Sequence, residues 1–102
     1  MLVDFSVIPI GGGVSLSDEV AKVIRLIDES GLPYKLNPMG TVVEGEWHEI
    51  MALIEKCHNL VLADQERVLT SIVIDDRKGK VDMIEKKVES VKKKLGWAPT
   101  GA

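Results

Sequence analysis

A chain of 102 residues with a formal charge of -3 and a sequence pI near 5.3 has no general attraction for phosphate backbones or anionic lipid, which argues against nucleic-acid and membrane partners. Apolar residues at 45% and charged residues at 28% are the balance of one folded domain with a real core, far from the composition of a disordered chain. Cys57 is the only cysteine, which excludes an intrachain disulfide and a cysteine-rich zinc site and fits a reducing compartment.

The opening "MLVDFSVIPIGGG" carries an acid at position 4 and no basic stretch before its short apolar run, so it reads as neither a secretion signal nor a membrane span. Within it, Val3, Phe5 and Val7 alternate with Asp4, Ser6 and Ile8, the two-residue period of a strand with one buried face. Pro9 and the Gly11-Gly12-Gly13 run end that strand. A helix follows: Ser15 or Ser17 serves as N-cap, Asp18 and Glu19 occupy the first turn, Val20, Val23, Ile24 and Ile27 form a stripe, and Gly31 closes it.

Two short extended runs come next, Tyr34 to Leu36 and Thr41 to Glu44, joined as a hairpin by Asn37-Pro38-Met39-Gly40. Glu46 to Ala63 reads as a second helix, with Ile50, Leu53, Ile54, Cys57 and Val61 on one face and Glu46 and Glu49 at its positive end. "RVLTSIVIDD" alternates again, Val68, Thr70, Ile72 and Ile74 against Leu69, Ser71, Val73 and Asp75, and makes a fourth strand. The last helix places Ile84, Val88, Val91 and Leu95 at helical spacing, gathers lysines toward its C-terminal end and stops at Gly96. Residues 97–102 are expected to be a frayed tail after a single domain over 1–96.

The order β-α-β-β-α-β-α predicts an α+β, ferredoxin-like βαββαβ sandwich with an extra C-terminal helix, in which the first and third strands are central neighbours. If Val3, Phe5 and Val7 meet the helices, then Asp4, Ser6 and Ile8 point the other way, together with Leu69, Ser71, Val73 and Asp75. That outward set is half apolar, and a second copy of the chain is the expected cover.

No serine has a histidine and an acid at a recognisable spacing, and no acid pair carries a hydrolase signature, so nothing argues for catalysis. The triple glycine before a serine-capped helix is either a flexible connection or an anion contact; it lacks both the lysine of a phosphate loop and the spacing of a dinucleotide fingerprint. Cys57, on the buried stripe, and the histidines His48 and His58 are a core thiol with surface neighbours more readily than a metal set, since adjacent helical residues point about 100° apart. Glu44, just beyond a glycine-containing turn, is open to two readings: a solvated strand end, or a carboxylate lining a pocket.

The segments "VIPIGGGVSLSDEV", "GLPYKLNPMGTVVEGEWHEIM", "SIVIDDRKG" and "KVESVKKKLG", in that order and over nearly the whole chain, resemble the family of small thiamine-binding proteins. The resemblance implies a ferredoxin-like subunit assembling as a dimer or tetramer, no established catalysis, and binding of thiamine or its hydroxymethylpyrimidine half; the reading that follows is a non-catalytic cytoplasmic carrier, buffer or sensor with no bound cofactor. A homo-oligomer with no small-molecule ligand is the competing reading. Thiamine joins an aminopyrimidine to a cationic thiazolium, so a site for it needs a carboxylate, a hydroxyl or amide and an apolar slab. On that reading Met39 lies against a ring, Gly40 lets the backbone come close, Thr41 offers a hydroxyl, Glu44 accepts from the pyrimidine edge, and Ser15 and Ser17 close the far side.

Overall fold

The computed structural model describes residues 1–11, 16–79 and 81–101. Seven elements follow in chain order: β1 (Leu2–Pro9), α1 (Leu16–Glu29), β2 (Tyr34–Asn37), β3 (Gly40–Glu44), α2 (Trp47–Asp64), β4 (Val68–Asp75) and α3 (Met83–Leu95). The strands form one sheet in the order β2-β3-β1-β4, every neighbouring pair antiparallel. This is the α+β sandwich with an extra C-terminal helix that the element order requires, with β1 and β3 at the centre.

Register explains which side chains go where. Val3 faces Val43 on one side and Ile74 on the other, while Phe5 lies between Thr41 and Ile72, so these residues share the face that α1 and α2 cover. Val3, Phe5, Val7 and Val43 join Val23 and Ile27 of α1 and Ile50, Leu53, Ile54, Cys57 and Val61 of α2 in one buried cluster. The helical members sit at spacings of three and four, the condition for a continuous apolar stripe. At the β4 edge the cover thins: Ile72 and Ile74 point to the helix face yet stay exposed, and His58 Nδ1 meets the Thr70 hydroxyl at 2.7 Å nearer the start of that strand.

The alternate positions form the second face. Leu2, Asp4, Ser6 and Ile8 of β1 line up with Val42 and Glu44 of β3 and with Asp75, Val73, Ser71 and Leu69 of β4. One end of this face is not bare, because the first turns of α3 lie against it. The C-terminal helix thus crosses to the side that α1 and α2 leave open, which its periodicity alone did not show.

Helix ends follow local chemistry. Glu46, which strand alternation would have placed beside Glu44, lies beyond the end of β3 and is the N-cap residue of α2; its N–H donates to the Glu49 carboxylate at 3.3 Å. Gly96, at φ 79°, ends α3 in the left-handed conformation that glycine adopts without steric cost. The first helix begins at Leu16, so Ser17 lies inside its first turn, and the cap expected at Ser15 lies outside the described residues. Because Ile27 is fully buried between α1, α2 and the sheet, Ile27→Ala should lower unfolding free energy by about 2–5 kcal/mol, read from the urea midpoint by circular dichroism.

Candidate functional site

Two cavities meet near the β2–β3 hairpin. The larger, of about 370 Å³, lies between the outward sheet face and α3, with Leu2, Asp4, Val42 and Val73 as its floor and Met83, Ile84 and Val88 as its opposing wall. Its polar groups are Asp4, Asn37, Lys35 and the pair Asp75 and Lys87, and Gly101 of the C-terminal segment borders it. The smaller, of about 270 Å³, lies on the other side of the hairpin, between its tip and the start of α1, lined by Phe5, Val7, Leu16, Val20, Met39 and Thr41 among others. It contains no charged side chain, and Asn37 borders both cavities.

The pleat divides the residues that the sequence placed in one site. Thr41 pairs with Phe5 and faces the helices, whereas Gly40 and Glu44 occupy the opposite parity and face outward. Met39 sits at the hairpin tip, 91% exposed, and contributes only to the rim of the smaller cavity. Ser17 is exposed in the first turn of α1 and lines neither cavity, and Ser15 lies outside the described residues. Met39, Gly40 and Thr41 are therefore brought together, and Glu44 and Ser17 are not brought to them.

Glu44 has a partner of its own. The residue is only 9% exposed; its Oε2 accepts from the Met83 N–H at 2.9 Å and its Oε1 from the Ile84 N–H at 3.3 Å. These are first-turn amides of α3, which no intrahelical carbonyl can satisfy, so a strand-end carboxylate caps a helix some forty residues later. Of the two readings of Glu44, water-facing or pocket-lining, neither describes this contact. It is a structural acceptor placed directly behind the cavity wall.

Asp4 is the group that sequence reasoning passed over. It makes no hydrogen bond or ion pair among the described residues, it lines the larger cavity, and its Oδ1 lies over Gly40, where an added Cβ would come within 2.7 Å. Gly40 is thus needed for close approach, though of a neighbouring strand's side chain: the same Cβ would stand 3.1 Å from the Phe5 carbonyl oxygen. Across the cavity Asp75 is already neutralised. Its carboxylate bonds Lys87 of α3 and lies 3.6 Å from Arg77, and Lys87 first, then Arg77, holds its carboxyl below the usual carboxylate range. The signal for Asp4 was available in the alternation of β1, which sends position 4 to the same face as positions 42 and 73.

The comparisons fit this architecture. The family model described as "Thiamine-binding protein" matches residues 3–92. The chain belongs to the thiamine-binding protein family. Among its relatives, the UPF0045 protein MJ1052 of Methanocaldococcus jannaschii is 38% identical over 91 residues, covering 89% of this chain and 91% of the relative. A UPF0045 protein of Mycobacterium bovis is 38% identical over 96 residues, covering 93% and 94%. The crystal structure of the Methanocaldococcus protein superposes with a TM-score of 0.81 at 39% identity, covering 88% of this chain and 93% of that one. A crystal structure from Thermotoga maritima, whose description proposes a role in thiamine biosynthesis or salvage, gives 0.77 at 28% identity, covering 88% and 96%.

Neither a metal nor a thiol nucleophile is supported by the remaining groups. Among the described residues no cluster of three or more His, Cys, Asp or Glu is placed to hold a metal ion, and no helix is long and apolar enough to cross a membrane. Cys57 is fully buried on the stripe of α2, and burial pushes its thiol up to about 11. At pH 8 about one molecule in a thousand would carry the thiolate. Ellman's reagent should accordingly label the native protein at least about a hundredfold more slowly than protein unfolded in urea.

Proposed function

We propose that this protein binds thiamine, or its hydroxymethylpyrimidine half, without transforming it, in the cavity between α3 and the outward sheet face. The observation that carries this reading is the Asp4 carboxylate, which has no hydrogen-bond or ion-pair partner among the described residues, at the edge of an apolar slot. A thiazolium cation and an exocyclic amino group both favour a nearby carboxylate, and the Asn37 amide can donate to or accept from a pyrimidine ring. Leu2, Val42 and Val73 on one side and Ile84 and Val88 on the other give flat rings apolar surfaces to lie against, with Met83, whose sulfur is polarizable, on the same wall as Ile84 and Val88. The volume of about 370 Å³ lies at the small end of ordinary ligand sites, roughly 300–1,000 Å³. Family membership supports the ligand class. The protein is then a carrier, buffer or sensor of a cytoplasmic cofactor precursor, with no catalytic role.

Calorimetry with thiamine tests both ligand and seat. Asp4→Asn should cost about 1.5–3 kcal/mol, roughly ten- to hundredfold in affinity, while Thr41→Val, in the smaller cavity, should leave binding unchanged. The reverse pattern would move the ligand to the hairpin cavity. An absence of heat with wild type at millimolar thiamine and hydroxymethylpyrimidine would remove the binding reading.

A second reading, a homo-oligomer formed through the sheet, has its own observation. Beyond the part that α3 covers, the outward face exposes Ile8 and Leu69, and Val73, at the open margin of the larger cavity, is 68% exposed. All belong to β1 or β4, and β4 is an edge strand whose residues 68–74 include no charge and no proline, the kind of surface natural proteins rarely leave bare. Assembly as a dimer or tetramer is compatible with ligand binding. Light scattering at micromolar concentration should give a mass above the 11.2 kDa of one subunit, and Val73→Lys should lower it by placing an unpaired charge in the contact. A wild-type mass of one subunit would end the idea.

A further inference from the structure

The larger cavity has one fixed side and one that is attached by few contacts. Its floor belongs to the central strands, whereas Met83, Ile84, Lys87 and Val88 come from α3, a helix with no fully buried residue. Nor does α3 cap itself. Asp82, its N-cap residue, sits in the left-handed region at φ 57° and makes no side-chain cap hydrogen bond, so the first-turn amides of Met83 and Ile84 depend on Glu44. The other polar tether, Lys87 to Asp75, joins two side chains that are 43% and 39% exposed, and exposed ion pairs hold little. The Glu44 bonds are the stronger tie, since they are charge-assisted, largely shielded from water and aligned with the positive end of the helix.

From this geometry we infer that Glu44 is a positioning residue: it latches α3 along the cavity, and release of its two hydrogen bonds removes that wall and leaves a bare sheet face. Both amides that it holds belong to residues of the cavity wall, so cap and wall form or dissolve together. The identity of the ligand rests on the binding proposed above; the latch does not. Glu44 acts on ligand only through α3, and affinity scales with the fraction of molecules in which α3 is docked.

Hydrogen exchange read by mass spectrometry, on wild type, Glu44→Ala and Glu44→Gln, tests the latch without ligand, and thiamine titration of the same proteins tests its consequence. In Glu44→Ala the amides of residues 83–95 should exchange at least about tenfold faster while β1, β3 and α2 keep their wild-type rates, and thiamine affinity should fall by the factor by which docking falls. Glu44→Gln keeps one acceptor oxygen and should lie between the two, and it carries the comparison if the alanine variant does not fold. Ile27→Ala is the control for simple destabilisation: it should raise exchange throughout the domain without a selective effect on α3. Unchanged exchange over α3 in Glu44→Ala, or selectively fast exchange with undiminished thiamine binding, would overturn the inference. If wild type takes up no thiamine, the binding reading fails, and selective exchange over α3 still decides the latch.

Discussion

The carboxylate of Glu44 is where the two halves of this molecule meet, because β3 ends there and α3 begins against it. A helix start exposes amides that need acceptors, and a carboxylate at a strand end, held in place by the Leu2 pairing and by the bond from its own N–H to the Pro33 carbonyl, supplies them at fixed positions. Without that acceptor the C-terminal helix would have only half-buried side chains and an exposed ion pair to hold it. With it, the otherwise open face of the sheet gains a wall at one end. The cavity follows from the wall.

The pleat of the sheet imposes the second constraint. Successive residues of a strand alternate faces, so positions an even number apart can cooperate and positions three apart cannot. Thr41 therefore belongs with Phe5 and the helices, and Glu44 with Asp4 and α3, however close they stand in sequence. The same rule gives the larger cavity its mixed character: Leu2, Val42 and Val73 are apolar members of a face that also sends the acids Asp4 and Asp75 into the cavity. Of these acids Asp75 is paired with a lysine of α3, and Asp4 has no such pair among the described residues.

On the opposite face the packing has a different task. The α1 and α2 stripes bury Ile27, Ile50, Cys57 and Val61 against Val3 and Val43, and the smaller cavity of this face is confined to the hairpin end, where Cys57 does not line it; burial also raises the pKa of that thiol. Lys22 bridges Glu19 of its own helix and Asp64 at the end of α2, at 3.2 and 2.9 Å, and so ties the two covering helices together at one end. The buried core lies on this side, and the wall that Glu44 holds lies on the other.

By itself the sequence determined what depends on periodicity and on residue type. Alternation along β1 and β4, the helical stripes, the hairpin residues and the terminal Gly96 were enough for the element order and for the split of Asp4, Ser6 and Ile8 from Val3, Phe5 and Val7, since each rests on a local preference repeated over several residues, and the element order in turn put the first and third strands at the centre. The motifs around Pro38 to Trp47 pointed to the family for the same reason, being contiguous. What only the tertiary structure decided was where α3 goes and hence what Glu44 does. A stripe of Ile84 and Val88 specifies that a helix needs a surface, and not which of two sheet faces it takes. A contact between residues 44 and 83 leaves no periodic trace, and a carboxylate that caps a distant helix has the same local sequence as one that faces water.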